Sequence, residues 1–284
     1  MGLFKDKMIR SLKTSGMSIY TQRAYLAAMR FFVGYYMKSP DQLGLEEIQK
    51  YHLYLVENKK LSPKTINVYM AGVKFFYEMC LNREFRYGEI PRMKVKRTVP
   101  EILSQDEICK LINCAKKIKH KAVIAILYAG GLRAHEALHL TSHDIDSNRM
   151  LIHVREGKRS KERYTLLSQS VLKLLRKYWV EDKSDKSLWL FPSHDPKKPM
   201  SYSGLRSFFQ KTKKRAGLKS KATVHNLRHA FATHLLEMGV NIRLIQVLLG
   251  HGCLSTTAIY TRVAKSSFSE IQNPLDVVGS KLTF

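Results

Sequence analysis

The 284-residue sequence has no run of about 18 or more apolar residues, the length a membrane-crossing helix needs. It also lacks a short apolar segment placed like a signal peptide, so the chain reads as soluble. Cysteine is scarce. Cys80, Cys109, Cys114 and Cys253 form no C-x-x-C pair and are too few to staple a chain this long, which excludes a disulfide framework and fits a reducing cytoplasm. Acidic residues are also scarce, 23 against 49 Lys and Arg, leaving a formal charge of +26 and a pI near 10.0. Such a field attracts polyanions at long range, and nucleic acid is the first partner to suspect. An anionic membrane would also suit the charge, but the sequence offers no anchor. Internal repeats and low-complexity tracts are absent too.

What is present divides the chain in two. Residues up to about Arg86 read as all-helical. Tyr25, Leu26, Met29, Phe32, Val33 and Tyr36 recur every three or four positions, as one buried helical face requires. A second helix is predicted from Leu45 to Glu57, with Ile48, Tyr51, Leu55 and His52 turned inward. In the third, Ser62 caps, Pro63 takes the first helical position, and Ile66, Met70, Val73, Phe76 and Tyr77 form the stripe. The aromatics are assigned to packing. Arg23, Lys64 and Lys74 fall off the stripes, where they face either phosphate or plain solvent.

Between Pro91 and Pro100 the sequence is proline-bracketed, basic and without helical period, as in an interdomain linker. Lys94, Lys96 and Arg97 in it could lie along a nucleic-acid backbone, neutralising phosphates without sequence preference. The division is therefore a helical domain at 1–90, a linker at 91–100 and a second domain at 101–284, with a tail from about 264.

The second domain opens on Ser104 and Glu107 at capping-box spacing, with a helix through Ala115. A buried helix from Ala122 to Ala129 ends at Gly130-Gly131. Met150 to Arg155 and Arg163 to Leu167 read as a β-hairpin around the basic turn 156–161. Helices then run over 168–179 and 203–216. In the next, Leu227, Phe231, Leu235 and Met238 share the core face, while His225 and His229 point away from it. Asn241 caps one more helix that Gly250 ends, leaving His251 at a loop start, and Ser255 caps a short helix carrying Tyr260. The fold class is mainly α with a small β-sheet.

One motif points to different chemistry. His135-Glu136-Ala137-Leu138-His139 matches H-E-x-x-H, in which two histidines one turn apart bind zinc and the glutamate acts as general base. The longer form with a third histidine is absent, because Thr141-Ser142-His143 follows. A zinc metallopeptidase is thus a minor alternative. His225 and His229 have the same spacing without an evident carboxylate partner.

The polar residues at element ends are Arg133, Lys158, His225, Arg228, His251 and Tyr260. With Gly-Leu-Arg-x-x-Glu at 131–136, His-x-Leu-Arg-His at 225–229 and Leu-Gly-His at 249–251, nearly the whole chain resembles the tyrosine recombinase (phage integrase, Xer-like) family. The resemblance implies a SAM-like core-binding domain, a catalytic domain with a three-stranded sheet, and site-specific cleavage and rejoining of DNA through a 3′-phosphotyrosyl link. Biological roles in that family include moving a mobile element and resolving DNA dimers.

The chemistry suits the residue types. Two guanidinium forks, Arg133 and Arg228, can bind the oxygens of a phosphate under attack. A tyrosine suits reversible strand joining, because phenol, with a pKa of about 10, leaves more readily than an alkyl alcohol. By resemblance Tyr260 is the nucleophile, His225 the general base, His251 a phosphate ligand and His229 a support, while Glu136 is placed to orient Arg133. Resemblance also selects Lys158 over Lys161 to protonate the departing 5′-oxygen. Ala134-His135 departs from the small or aliphatic residues usual after the arginine. The scheme uses no metal or ATP. It implies a homotetramer on two DNA duplexes with specific core sites, and a C-terminal tail that docks on a neighbouring subunit or packs on its own. A type IB-like topoisomerase and a non-catalytic DNA-binding accessory protein are the alternatives.

Overall fold

The computed structural model describes residues 2–86, 88–96, 100–155, 162–182, 187–258 and 260. They fall into two compact units, 1–97 and 98–284. Lys158, Lys161, Arg97 and the tail from 264 lie outside the described residues.

Among the described residues unit one contains four α-helices: α1 (Gly2–Thr14), α2 (Ile19–Tyr36), α3 (Leu45–Glu57) and α4 (Pro63–Leu81). The Ser62 hydroxyl accepts from the Thr65 amide, so the local signal for the start of α4 holds. Its core comprises the predicted stripes, with Phe32, Ile48, Tyr51, Leu55, Ile66, Val73, Phe76 and Tyr77 buried. These aromatics pack inside as expected, whereas Phe31 and Tyr35 are more exposed, Phe31 stacked on Tyr69 and Tyr35 set against Tyr54. Helices α2 and α4 meet closely at Gly72, where a β-carbon would come within 3.0 Å of Ala28 Cβ. After α4 the chain is pinned back: Asn67 Nδ2 donates to the Met93 carbonyl at 2.9 Å and the Met93 amide donates to Asn67 Oδ1 at 2.8 Å. The basic segment therefore begins as an anchored strap.

Unit two begins with α5 (Gln105–Asn113), whose capping box is complete: Glu107 Oε2 accepts from the Ser104 amide and Ser104 Oγ from the Glu107 amide. Then come α6 (Ile118–Ala129), α7 (Ala134–Leu138), three short strands, α8 (Gln169–Asp182), α9 (Tyr202–Arg215), α10 (Val224–Glu237), α11 (Ile242–Leu249) and α12 (Leu254–Thr257). The sheet is antiparallel in the order β1 (Ile145–Asp146), β2 (Leu151–Val154), β3 (Arg163–Leu166). Helix α6 is buried almost all round, as its apolar run requires, and its neighbours include α8 and α10. The fold is the expected mainly helical one with a small sheet.

The pattern on β3 inverts ordinary alternation. Arg163 and Thr165 face inward, while Tyr164 and Leu166 face out at 51% and 41% exposure. The Thr165 hydroxyl donates to the Gly130 carbonyl at 2.8 Å, joining the sheet to the end of α6. The polar face is thus satisfied within the fold, which is what makes its burial tolerable.

Two other expectations change. Met238 does not join the core face of α10; it is the helix C-cap and 64% exposed. Helix α12 stops at Thr257, so Tyr260 follows that helix instead of riding on it, and Ser255 sits inside the helix, not at its cap.

Candidate active site

The site grows from the turn after α6. Gly131 has φ +57, and a β-carbon there would lie 2.2 Å from Phe231 Cδ1 on α10. Only glycine permits both the left-handed backbone and that approach. The turn brings Arg133 to the N-cap of α7, where its amide donates to Glu136 Oε2 and its Nη1 to Glu136 Oε1, both at 2.7 Å.

Arg228 comes in from α10 and is 1% exposed, so the polar residues of this helix do not all point away from the core. Its burial is possible because two helix ends offer it backbone acceptors. Nη1 donates to the Gly131 carbonyl at 2.8 Å and Nη2 to the Leu249 carbonyl at 2.6 Å, with Glu136 Oε2 3.7 Å from Nη1. Burial, followed by the neighbouring charge of Arg133, lowers the Arg228 pKa to about 9, which still leaves it cationic near neutrality.

Residues at i, i+3 and i+4 share a helical face, so Arg228 carries His225 and His229 beside it. Their rings lie 4.5 Å apart at 81°. His225 keeps a solvent-facing edge; His229 is half-buried, with Nδ1 3.1 Å from the Tyr260 hydroxyl. The histidine bonded to the phenol is thus His229, and His225 packs against its ring. Asn241 caps α11 through the Arg243 amide, and Gly250, at φ +63, ends it. His251 follows, its amide donating to the Gln246 carbonyl and its Nδ1 2.9 Å from Thr257 Oγ1. Its ring lies 6.4 Å from that of Tyr260, nearly parallel.

Electrostatics place these groups in usable protonation states. Burial, then Arg228 and Arg133, lowers the His225 pKa. The same burial brings His229 to about 4 and His251 to about 3. All three are neutral near pH 7 and able to accept or hold a hydrogen bond. Tyr260, 2% exposed, is raised by burial and pulled partly back by Arg228 and Arg133, so its hydroxyl stays protonated. Burial would also raise Glu136, but Arg163 and then Arg133 outweigh it and hold the carboxyl at about 2.

Arg163 is the residue that sequence reasoning missed. Its guanidinium takes Glu136 in a fork, Nη1 to Oε1 at 2.9 Å and Nη2 to Oε2 at 2.8 Å, and Nε donates to the Leu248 carbonyl at 2.8 Å. An arginine beginning a strand is ordinarily read as solvent-facing, so no local signal distinguished it.

The H-E-x-x-H reading meets this geometry directly. Glu136 turns into the arginine cluster with both oxygens engaged, away from a general-base role. His135 and His139 instead stack at 3.9 Å between rings, and His139 meets Trp189 edge-on. Among the described residues no group of three potential metal ligands gathers, and no helix is long and apolar enough to cross a membrane.

The model of the phage integrase family matches residues 101–267, and that of the phage integrase N-terminal SAM-like domain matches residues 4–86. The chain belongs to the phage integrase family. An integrase/recombinase-like protein of Sinorhizobium fredii is 37% identical over 275 residues, covering 96% of this chain and 89% of its own length. The tyrosine recombinase XerA of Pyrococcus furiosus is 33% identical over 266 residues, covering 91% and 89%. The crystal structure of XerA recombinase aligns over 99% of both chains at 27% identity, with a TM-score of 0.54. XerH site-specific recombinase, bound to a palindromic difH substrate after cleavage, aligns over 90% of this chain and 80% of its own at 22% identity, with a TM-score of 0.71; this second likeness concerns the fold. As a phage integrase family member the protein is a tyrosine recombinase, an enzyme of DNA strand transfer in site-specific recombination.

Within this integrase-family chain, the structure brings Arg133, His225, Arg228, His229, His251, Tyr260 and Glu136 into one cluster of contacts. Of the residues expected to face DNA, Arg23, Lys64, Lys94 and Lys96 are exposed on unit one, and Lys74 is partly exposed beside Glu78 at 3.4 Å.

Proposed function

We propose that Tyr260 is the nucleophile that opens the DNA strand, with Arg133 and Arg228 holding the scissile phosphate. One observation carries this reading: the Tyr260 hydroxyl, a neutral histidine at 3.1 Å and two guanidiniums braced on one carboxylate occupy a single cluster. In the forward step the Tyr260 oxygen bonds to phosphorus and the bond from phosphorus to the 5′-oxygen breaks. The phenolic proton passes to the histidine pair, His229 being nearest and His225 the expected base, and Lys158 gives a proton to the 5′-oxygen. Charge growing on the non-bridging oxygens meets Arg133, Arg228 and His251. Reversal by a 5′-hydroxyl from another strand completes transfer, and the phosphodiester energy is kept in the protein–DNA link.

The 1–90 region is the core-binding domain in this reading and 101–284 the catalytic domain. Arg23, Lys64, Lys74, Lys94, Lys96 and Arg97 contact the DNA backbone. DNA as the partner is supported by XerH, whose structure holds its difH substrate. The working assembly is a tetramer on two duplexes, with the tail from 264 reaching a neighbouring subunit. The reaction takes place in the cytoplasm.

The test begins with a duplex that the wild-type chain selects from a randomised pool, then nicked near the bound centre so that the cut end diffuses away. Incubated with it in EDTA, the wild type forms a denaturant-resistant protein–DNA adduct and Tyr260→Phe forms none. No wild-type adduct, or an equal one from Tyr260→Phe, overturns the reading.

A further inference from the structure

Arg163 lies outside the six groups given a chemical role above, yet it is 7% exposed in its side chain and makes three hydrogen bonds at the centre of the cluster. We propose that Arg163 is a positioning residue for strand cleavage: its fork saturates Glu136, leaving Arg133 and Arg228 their charge for the phosphate, and its Nε fixes the helix end that presents His251. The inference rests on the reading of Arg133 and Arg228 as phosphate ligands.

The charge count gives the first reason. Three guanidiniums face one carboxylate, 3 − 1 = +2, and without Arg163 the same carboxylate would face two, 2 − 1 = +1. Geometry gives the second. A carboxylate has about four acceptor directions, and Glu136 receives Arg163 Nη1 and Nη2, Arg133 Nη1 and the Arg133 amide. So occupied, it holds Arg133 by one nitrogen and cannot close on it as a second bidentate pair. Remaining Arg133 donors are left for a ligand, and this side chain keeps 26% exposure.

The contact with Leu248 supplies the third reason. Leu248, Leu249 and Gly250 close α11 just before His251, and the two arginines divide their carbonyls, Arg163 taking Leu248 and Arg228 taking Leu249. A β-carbon on Gly250 would lie 2.8 Å from Arg163 Cδ, so the loop is built around this side chain. Arg163 therefore joins three separated segments: the strand β3 that it begins, the helix start that carries Arg133, and the helix end before His251. Lysine could supply the charge, but not a planar fork with a third donor to the side.

The test compares wild type, Arg163→Gln and Arg163→Lys in single-turnover cleavage of the selected nicked duplex, with DNA affinity and thermal melting measured alongside. Arg163→Gln is expected to slow cleavage about a hundredfold while affinity changes little, since displaced groups lose the transition state more than the bound state. Arg163→Lys restores melting and only part of the rate. In a Glu136→Gln background the same Arg163→Gln change costs much less, because the carboxylate it restrains is gone. Carboxyl-carbon NMR supplies a readout without DNA: Glu136 titrates at distinctly higher pH in Arg163→Gln than in wild type. Near-wild-type cleavage by Arg163→Gln, an equal penalty in both backgrounds, or an unmoved Glu136 titration overturns the proposal. If Arg163→Gln does not fold, the Arg163→Lys rate decides it: cleavage well below wild type supports the proposal and near-wild-type cleavage overturns it. If the wild type itself forms no adduct, the reading of the site falls, while the Glu136 titration still decides whether Arg163 holds that carboxylate.

Discussion

Arg228 Nη2 lies 2.6 Å from the carbonyl oxygen of Leu249, two residues before His251, while Nη1 of the same guanidinium holds the Gly131 carbonyl, two residues before Arg133. One buried side chain thus indexes the two segments that lead into other site residues. Arg228→Ala would leave both carbonyls without their donor and is expected to cost about 3 kcal/mol of unfolding free energy, as buried polar partners left alone do. Urea denaturation checks it. A loss well under about 1 kcal/mol, within the range of ordinary surface changes, would show that those carbonyls find other donors.

Gly131→Ala is expected to destabilise unit two by more than about 2 kcal/mol, from strain at positive φ together with overpacking. The distinguishing experiment adds Phe231→Ala. If the 2.2 Å approach to Phe231 contributes, the double variant is less unstable than the sum of the two single changes.

Acid should act on this site through its histidines first. Folded His229 and His251 titrate at about 4 and 3, below the ordinary value of 6.5. The unfolded chain therefore takes up protons that the folded chain refuses as pH falls below about 6.5, and stability declines from there. Glu136, at about 2 instead of 4.5, adds a further loss below pH 4.5. Above about pH 6.5 these contributions are complete. Denaturation midpoints measured from neutral to acid pH should therefore fall, and fall less in His251→Gln. A midpoint flat down to about pH 4 would contradict the lowered histidine values.

If Lys158 protonates the departing oxygen, Lys158→Ala should lose cleavage of an ordinary duplex and regain much of it when the bridging 5′-oxygen is replaced by sulfur. A thiolate, its conjugate thiol having a pKa of about 8.5, leaves without help. Rescue in Lys161→Ala in place of Lys158→Ala would move the role to the neighbouring lysine.

Recombination and topoisomerase action share the phosphotyrosyl step but differ in partners. Exchange of labelled ends between two duplexes, with a four-protomer complex in light scattering, is the expected result. Relaxation of supercoils by a monomer with no exchange would favour the topoisomerase alternative.

The residues readable from sequence were those whose signals are local. Ser62, Ser104 and Asn241 cap helices through amides two or three positions away, and the stripe from Ile66 to Tyr77 needs only one helix to make sense. The hidden features depend on distant chain segments. Arg163 faces inward because Glu136 and Leu248, 27 and 85 positions away, await it, and no periodicity within four strand residues encodes that. Arg228 was recognisable by its motif, but its near-complete burial follows from two helix ends meeting around it. Strand β1, with only two residues, is too short to leave a pattern.

The covered position of Tyr260 bears on how the enzyme behaves before it meets DNA. With its ring 2% exposed and its hydroxyl against His229, the phenol is withheld from phenol-seeking reagents in the surrounding medium. In the proposed role of Tyr260, a nucleophile so stored is quiet toward incidental phosphodiesters. Under that proposal cutting requires DNA to uncover the Tyr260 hydroxyl, and a cleaving reagent can reside among nucleic acids without damaging them indiscriminately.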